Sequence, residues 1–410
     1  MGRLLDEPNA FPLPAPELRA TQPDSHSHLF FEVVDSVERF GELKEQWDAL
    51  LEEHGKAHHV FYQHSWLMYW NEVFLAAERQ SLAVLIGWRK GRLRFAMPLV
   101  HEQRLGCRIA RFMGVPVNQY SDVLISRDEN ISEVLPVALD ILTRELKCDL
   151  LLAPQVRSDA CLKPGLEDGR ARPVSTDAAP VIGLVDCKGP EDLAARLSAS
   201  ARKSRKRRRK RLNSKGAVGL VAASDGPQGR ELVDLGLKFK ADWFTKHSIV
   251  SSAFTDPRFA TFWHDVVSGR HGPCGLHVTA LTLEERPIAV EFGLRFKQAH
   301  FAHVGAFDLT MEDCSPGQAH LDMVVQDCID HGLEEYDLLP PVSSYKERLA
   351  NQTLPVCDYV LPLSRLGAAV DGTRLTEAPR MAKAMISSLP SGARSVLSSS
   401  VQKFRGYFTT

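Results

Sequence analysis

The string EEYDLLPPV at 334–342 answers KCDLLLAPQV at 147–156. Each is a short apolar run that stops at proline, as a buried strand does when the chain must turn away. Each also follows a stretch with helical spacing, about 132–146 in the first case and 316–331 in the second. Working outward from these two strings, the same order recurs. A hairpin reads 82–88, turn 89–91, then 93–100; its counterpart reads 275–283, turn 284–287, then 288–296. A third strand follows at 108–113 and at 300–307, with polar loops at 115–122 and 308–315. Upstream, SWLMYWNEVF (65–74) loosely answers FATFWHDVV (259–267). An offset of roughly 190 residues indicates one plan used twice rather than a solenoid. Helix, hairpin, strand, helix, strand is an α/β pattern around a mixed, mostly antiparallel sheet.

The rest of the chain fits around this repeat. A strand at 29–34 leads to a helix at 37–53, with Ser36 as its cap. The second half opens with a helix at 191–213, a strand at 218–222 and helices at 229–246 and 259–268. The expected organisation is a disordered lead-in at 1–28, domains at 29–186 and 187–363, and a basic, serine-rich tail at 364–410. In that tail, 381–386 and 396–404 are candidate basic amphipathic helices. They suit a docking helix, a disordered tail or weak membrane-surface contact.

A net charge of −1 leaves any electrostatic message local. The eight cysteines form no CxxC pair and no zinc-like cluster, so they read as reduced thiols, and no metal site is expected. The N-terminus lacks an apolar leader, and no run approaches the ~18 apolar residues a membrane span needs. The expected location is cytoplasmic, with peripheral contact at the inner membrane surface as an added reading.

The local message lies at Arg202–Lys215, which carries ten positive charges in fourteen residues. Such density repels itself and calls for an anionic neighbour. No interleaved aromatics are present for base stacking. A phosphate-bearing substrate or carrier is therefore preferred over nucleic acid. A second anion site is expected at Ser315–Pro316–Gly317–Gln318, where a proline-opened helix begins and Ser315 suits the cap. Asp337 is a carboxylate inside an apolar strand and must pair or serve a site. Tyr345 and Lys346 follow as candidate proton donor and charge partner. Glu291 shares a strand face with Arg295 and is either a general base or that arginine's partner. His303 is a second base candidate. Tyr120 and Asp122 sit in the first half's polar loop, at the place corresponding to 308–315.

Five strings together resemble the CelD-like, cellulose-biosynthesis-associated GNAT acyltransferases, distant relatives of the Fem-type peptidyltransferases. They are VFYQHSWLMYW (60–70), NQYSDVLI (118–125), RKSRKRRRKRLNSKG (202–216), ERPIAVEFGL (285–294) and SPGQAHLDMVVQDCIDHGLEEYDLLPPVSSYKERL (315–349). The resemblance spans about 30–363. Many relatives carry Phe-Gly-x-Gly after the aspartate, where this chain has Leu338–Leu339–Pro340–Pro341. It implies two tandem GNAT-like domains with a cleft between them. It also implies acyl transfer from acyl-CoA, a co-substrate rather than a tightly bound cofactor, to an amine or hydroxyl of a small-molecule or saccharide acceptor. Cellulose or exopolysaccharide biosynthesis is the implied setting. On this reading Asp122, Glu291, Tyr345 and Lys346 are the catalytic candidates. Trp66, Tyr120, His303 and Asp337 face the substrate, and Arg202, Lys203, Arg205, Ser315, Gly317 and Gln318 hold the donor's phosphates. Two other readings stand beside it: an aminoacyl-tRNA-dependent transferase or RNA binder using the basic run, and a non-catalytic assembly factor at a membrane surface.

Overall fold

A computed structural model describes residues 29–374 apart from 76–79, 105, 170 and 250. The lead-in and the two tail helices expected at 381–386 and 396–404 lie outside the described residues.

The first half runs β1 (Phe30–Val34), α1 (Val37–Glu42), α2 (Lys44–His54), a 3-10 turn (Ala57–Tyr62), α3 (His64–Trp70), β2 (Gln80–Leu82), β3 (Val84–Arg89), β4 (Arg92–Met97), β5 (Leu99–Arg104), β6 (Cys107–Phe112), β7 (Leu124–Ile125), α4 (Ile131–Arg144), β8 (Leu150–Arg157), α5 (Lys163–Asp168) and β9 (Arg172–Gly183). The second runs α6 (Pro190–Ala195), α7 (Ala199–Asn213), β10 (Val218–Ala222), α8 (Gly226–Lys246), α9 (Ser252–Thr255), α10 (Pro257–Ser268), β11 (Leu276–Leu283), β12 (Arg286–Phe296), β13 (Ala299–Phe307), a 3-10 turn (Leu309–Cys314), α11 (Pro316–Asp330), β14 (Glu335–Asp337), α12 (Ser344–Leu349), β15 (Gln352–Pro362) and α13 (Arg365–Gly372). Ser36 caps α1 as expected, accepting from the Arg39 N–H at 3.2 Å. Two expected single helices are each divided, at Leu43 and at Arg196–Ser198.

The expected hairpins both form, β3–β4 and β11–β12. The first is interrupted. Pro98 separates β4 from β5 and Ala83 separates β2 from β3, so β3 and β4 join β1 and β7 in a small sheet of their own. Proline has no N–H for the ladder, which suits a strand break. β11 and β12 carry no such interruption.

All remaining strands form one sheet in the order β10-β11-β12-β13-β14-β9-β15-β8-β6-β5-β2. It is continuous because the halves exchange their last strands. β9 of the first half pairs with β14 of the second, Tyr336 opposite Ile182. β15 of the second half pairs with β8 of the first, Leu361 opposite Leu151. The repeat-related helices α3 and α10 also meet, with the Trp66 ring 4.7 Å from Phe262 and 5.6 Å from Trp263. Trp66 is fully buried, and truncating such a side chain costs about 3–5 kcal/mol.

Two helices cover opposite faces of the second half's sheet. Gly236 of α8 lies against the side chains of Val290 and Phe292. Glu291, between them, must point the other way. There His320 of α11 meets Thr279 of β11 at 3.0 Å. Among the described residues no helix is long and apolar enough to cross a membrane.

Candidate functional site

β13 and β14 pair over three residues only, Ala299–Phe301 with Glu335–Asp337. Beyond Phe301 they part, so 302–307 has β12 on one side and no strand on the other. Where they part, β13 carries one extra residue. Phe292 faces Val304 but Leu294 faces Phe301. Such bulges redirect backbone groups and are frequent beside active sites.

Glu291 lies on β12 next to this opening. Its carboxylate takes the Tyr336 hydroxyl at 2.6 and 2.7 Å and meets His300 Nε2 at 3.0 Å. Burial pushes its pKa up, but His300 and its other partners more than offset that, and the group ends below the usual glutamate range. It is therefore an ionised carboxylate at neutral pH, with a side chain 11% exposed. Directly opposite is Gly305, which is exposed. A side chain built there would meet Glu291 Oε2 at 3.8 Å. No side chain at this position covers that edge of the carboxylate. Arg295, the other partner expected for Glu291, pairs instead with Asp327. Tyr345 is half exposed on α12, its pKa pushed up to about 12 by burial and by the charge of Glu291.

The donor-side candidates converge in part. α7 lies across the start of α11, with Arg205, Arg208 and Arg209 beside Ser315, Gln318 and Asp322. Arg205 is nine-tenths buried and pairs with Asp322, Nε to Oδ2 at 3.0 Å. Its Nη1 has no hydrogen-bond partner. Ser315 does not cap α11 with its side chain, contrary to expectation. It sits in the left-handed region at φ 51°, and its carbonyl accepts the N–H groups of Gln318 and Ala319. The space that Gly317 leaves is taken up by Phe307, 3.1 Å from where a side chain would begin. Arg202 caps the preceding turn through the carbonyls of Ala195 and Leu197, and Lys203 faces solvent. The gap between α7 and α11 is about 10 Å3.

The first-half candidates are placed differently. Asp122 is fully buried and accepts five hydrogen bonds. His58 Nε2, His59 Nε2 and the Cys161 N–H reach Oδ2 at 2.8, 2.8 and 2.9 Å. The N–H groups of Leu162 and Val123 reach Oδ1, each at 2.8 Å. Burial opposes its charge, but the two histidines overcome that and hold its pKa far below the usual range. These three side chains also have the composition of a metal site. The hydrogen bonding argues otherwise. His59 Nδ1 accepts the Lys56 N–H at 2.9 Å, so the ring proton sits on Nε2 and points at Asp122. That nitrogen has no lone pair left for a cation. Asp122 is thus the centre of a closed knot with no open side.

Tyr120 and Asp337 meet at 2.8 Å across the two halves. Arg157 of β8 joins them, 2.9 Å from Asp337, and its guanidinium lies 5.0 Å above the Tyr120 ring. Asp337 also accepts the Leu339 N–H at 2.8 Å, so its buried charge is fully engaged. Trp66 is tied to Asn118 at 2.7 Å. His303 is wedged among Phe61, Phe259 and Trp263, with Nε2 on the Val117 carbonyl at 2.7 Å. Burial lowers its pKa to about 4. A cavity of about 290 Å3 in the first half, bounded by His54, Ile125, Glu129 and Cys161, contains none of the candidate residues.

Sequence reasoning missed Tyr336, His300, Gly305 and Arg157. Tyr336 stood beside Asp337 in the repeated string that revealed the fold. Its alternation placed it on the opposite face from Asp337, the face that carries Glu291.

Residues 199–347 match the family described as the acetyltransferase (GNAT) domain. No curated protein matches the chain in sequence. Among solved structures, FemX is similar with a TM-score of 0.54 at 10% identity, over 81% of this chain and 97% of that one. A conserved protein of unknown function from Bacteroides thetaiotaomicron gives 0.52 at 12% identity, over 81% and 100%. The C-terminal domain of a putative lysylphosphatidylglycerol synthetase from Agrobacterium fabrum gives 0.51 at 10% identity, over 82% and 96%. At such identities these likenesses speak for the fold alone. The fold is thus α/β with mixed sheets flanked by helices, and the acetyltransferase (GNAT) domain matched at 199–347 makes the chain an acyltransferase.

Proposed function

We propose that the second half transfers an acyl group from acyl-CoA directly to an amine or hydroxyl at the opening between β13 and β14. The observation that carries this reading is an ionised Glu291 facing the bare backbone of Gly305 where the two strands part. The acceptor's nucleophilic atom sits beside Gly305 and gives its proton to Glu291. Backbone groups of β13 past the bulge steady the oxygen of the tetrahedral intermediate. Tyr345, protonated at neutral pH, returns a proton to the departing thiolate. The donor's phosphates lie between Arg205, Arg208 and Arg209 and the start of α11. A single water needs about 10–15 Å3. The phosphates therefore enter only if the arginine side chains move apart. The likeness of the five sequence strings to CelD-like proteins is what supports a saccharide acceptor in polysaccharide biosynthesis.

Acetyl-CoA at about 100 times its Kd should stabilise the full chain by about 2.7 kcal/mol. R205A should remove most of that gain. No stabilisation by any acyl-CoA would overturn the reading.

A second reading has its own observation. Lys203, Lys206, Arg207 and Lys210 are exposed at helical spacing on the outer side of α7. Such a stripe suits a chain of phosphates, as in an aminoacyl-tRNA donor. Four contacts to single-stranded RNA would give a log–log salt slope of about −3. A slope near zero excludes this reading.

A further inference from the structure

Each lip of the β13–β14 opening bears a lysine. Lys240 of α8 reaches the β13 lip and donates to the Gly305 carbonyl at 3.2 Å. Lys346 of α12 reaches the other lip and donates to the carbonyls of Leu339 at 2.7 Å and Pro341 at 3.2 Å. Among the described residues, both ammonium groups hydrogen-bond to backbone carbonyls rather than to a carboxylate. Two acids lie near Lys346, and neither is hydrogen-bonded to it among the described residues. Asp337 is held by Arg157, Tyr120 and the Leu339 N–H. Asp177 takes the N–H groups of Ala178 and Val342. Lys240 has the rings of Trp243 and Phe244 beside it, at 5.3 and 5.6 Å, which ease its charge without neutralising it.

The two cations also feel each other. Burial lowers the pKa of both, and the charge of Lys240 presses Lys346 further, to about 8. Like charges held near each other cost stability, which Asp337 and Asp177 offset only in part, and an arriving anion would relieve what remains.

The position of the pair decides whose anion it is. Lys240 comes from α8, which covers the face of the sheet opposite α11. The donor's phosphates, on the reading above, sit at the start of α11. A donor entering from that side brings only its uncharged acyl end to the opening. An anion at the lysines therefore belongs to the other substrate.

We propose that Lys240 and Lys346 form an anion-binding pair that recognises a phosphate or carboxylate group on the acceptor. The assignment rests on the transferase reading. It makes the acceptor an acidic molecule whose charged group lies a short distance from its amine or hydroxyl.

The test uses the full-length protein with its lysines dimethylated with carbon-13, which preserves their charge. K240Q and K346Q identify the two signals by their loss. Inorganic phosphate and acetate are then titrated in, and acetyl-CoA affinity is measured by calorimetry on the same samples. The expected result is saturable movement of both signals, with their titration midpoints raised by about one pH unit. Phosphate favoured over acetate marks a phosphorylated acceptor, and the reverse marks a carboxylate. K240Q should weaken the response of Lys346 about tenfold while leaving acetyl-CoA affinity within about twofold. Neither anion moving either signal in the unsubstituted protein would overturn the proposal. So would phosphate acting only by competing with acetyl-CoA, since the anion would then be the donor's. If acetyl-CoA does not bind while the phosphate response persists, it is the transferase reading that fails, and the assignment to an acceptor falls with it.

Discussion

The two halves begin the same cleft and finish it differently. In each, a short parallel pair of strands holds three residues together: β6 with β8 in the first half, β13 with β14 in the second. In the second half the strands then part and leave Gly305 exposed beside Glu291. In the first half β6 stops at Phe112, and the loop after it turns back onto β8, with the Ser121 N–H on the Gln155 carbonyl. That loop carries Tyr120 and Asp122 into the place where an opening would be. Asp122 is then sealed by five donors, whereas Glu291 is held by two side chains and keeps an open flank. A buried carboxylate whose lone pairs are all taken is a rivet. One with an open flank is, on the proposed function, the reagent.

Breaking each carboxylate should separate these roles. Asp122→Asn removes the charge and turns an NH2 group toward donors that have nowhere else to go. Removing one partner of a buried, fully bonded ion costs about 3–5 kcal/mol, a large share of a domain's stability. The urea midpoint should fall steeply with an unchanged m value, while activity per folded molecule stays within a few fold. Glu291→Gln should do the reverse. Turnover should drop by about 10²–10⁴-fold, because the base is lost. Stability should change by only about 1–2 kcal/mol, since the amide oxygen still accepts from Tyr336. An active E291Q, or a D122N that is inactive yet fully stable, would exchange the two assignments.

The pH dependence sharpens the contrast. His58 in the first-half knot and His320 beneath Glu291 are both held neutral by burial, each with its pKa lowered to about 4. The unfolded chain protonates both near pH 6.5. Between about pH 6.5 and 4 the unfolded state therefore binds more protons, and stability falls as the pH falls. Each histidine contributes up to about 3 kcal/mol to that loss. H320Q should take about one proton, or roughly 1.4 kcal/mol per pH unit, off the slope of unfolding free energy in this window. An unchanged slope would mean that His320 already titrates in the folded protein.

Much of the fold was legible because the repeated apolar strings and hairpin turns are local signals. The exchanged strands were not. β9 contains Pro173 and Pro180, and β15 contains Pro355 and Pro362, so each reads as interrupted loop. They pair all the same, with Pro180 opposite Thr353 and Pro355 opposite Ala178. Of the site, Glu291 was legible as a carboxylate on a strand. Gly305 and Lys240 were not, because their meaning lies in what stands across from them. Asp337 was singled out as a carboxylate in apolar surroundings, whereas Tyr120 and Asp122 were read as residues of a polar loop and prove to be buried. Sequence shows that such a group must be satisfied, but not whether a ligand or the fold satisfies it.

The smallest expected effect concerns the two hairpin turns. Lys90–Gly91 and Glu284–Glu285 both have positive φ at both central positions, 51° and 71° in the first, 49° and 65° in the second. This geometry matches the twist of a two-residue hairpin and favours glycine at the second place. The first hairpin has glycine there and the second does not. Glu284 has a reason to stay, because its carboxylate takes the Ala217 N–H at 2.6 Å and pins the start of β10. Glu285 forms no hydrogen bond or ion pair among the described residues. A left-handed conformation costs a non-glycine residue about 1–2 kcal/mol, and glycine gives back about 0.5–1 kcal/mol through its freer unfolded state. E285G should therefore stabilise the protein by about 0.5 kcal/mol, seen as a small rise in the urea midpoint. The corresponding change in the first hairpin, G91E, should destabilise it by a similar amount. If both substitutions lowered stability, Glu285 would have a binding role that the turn geometry does not explain.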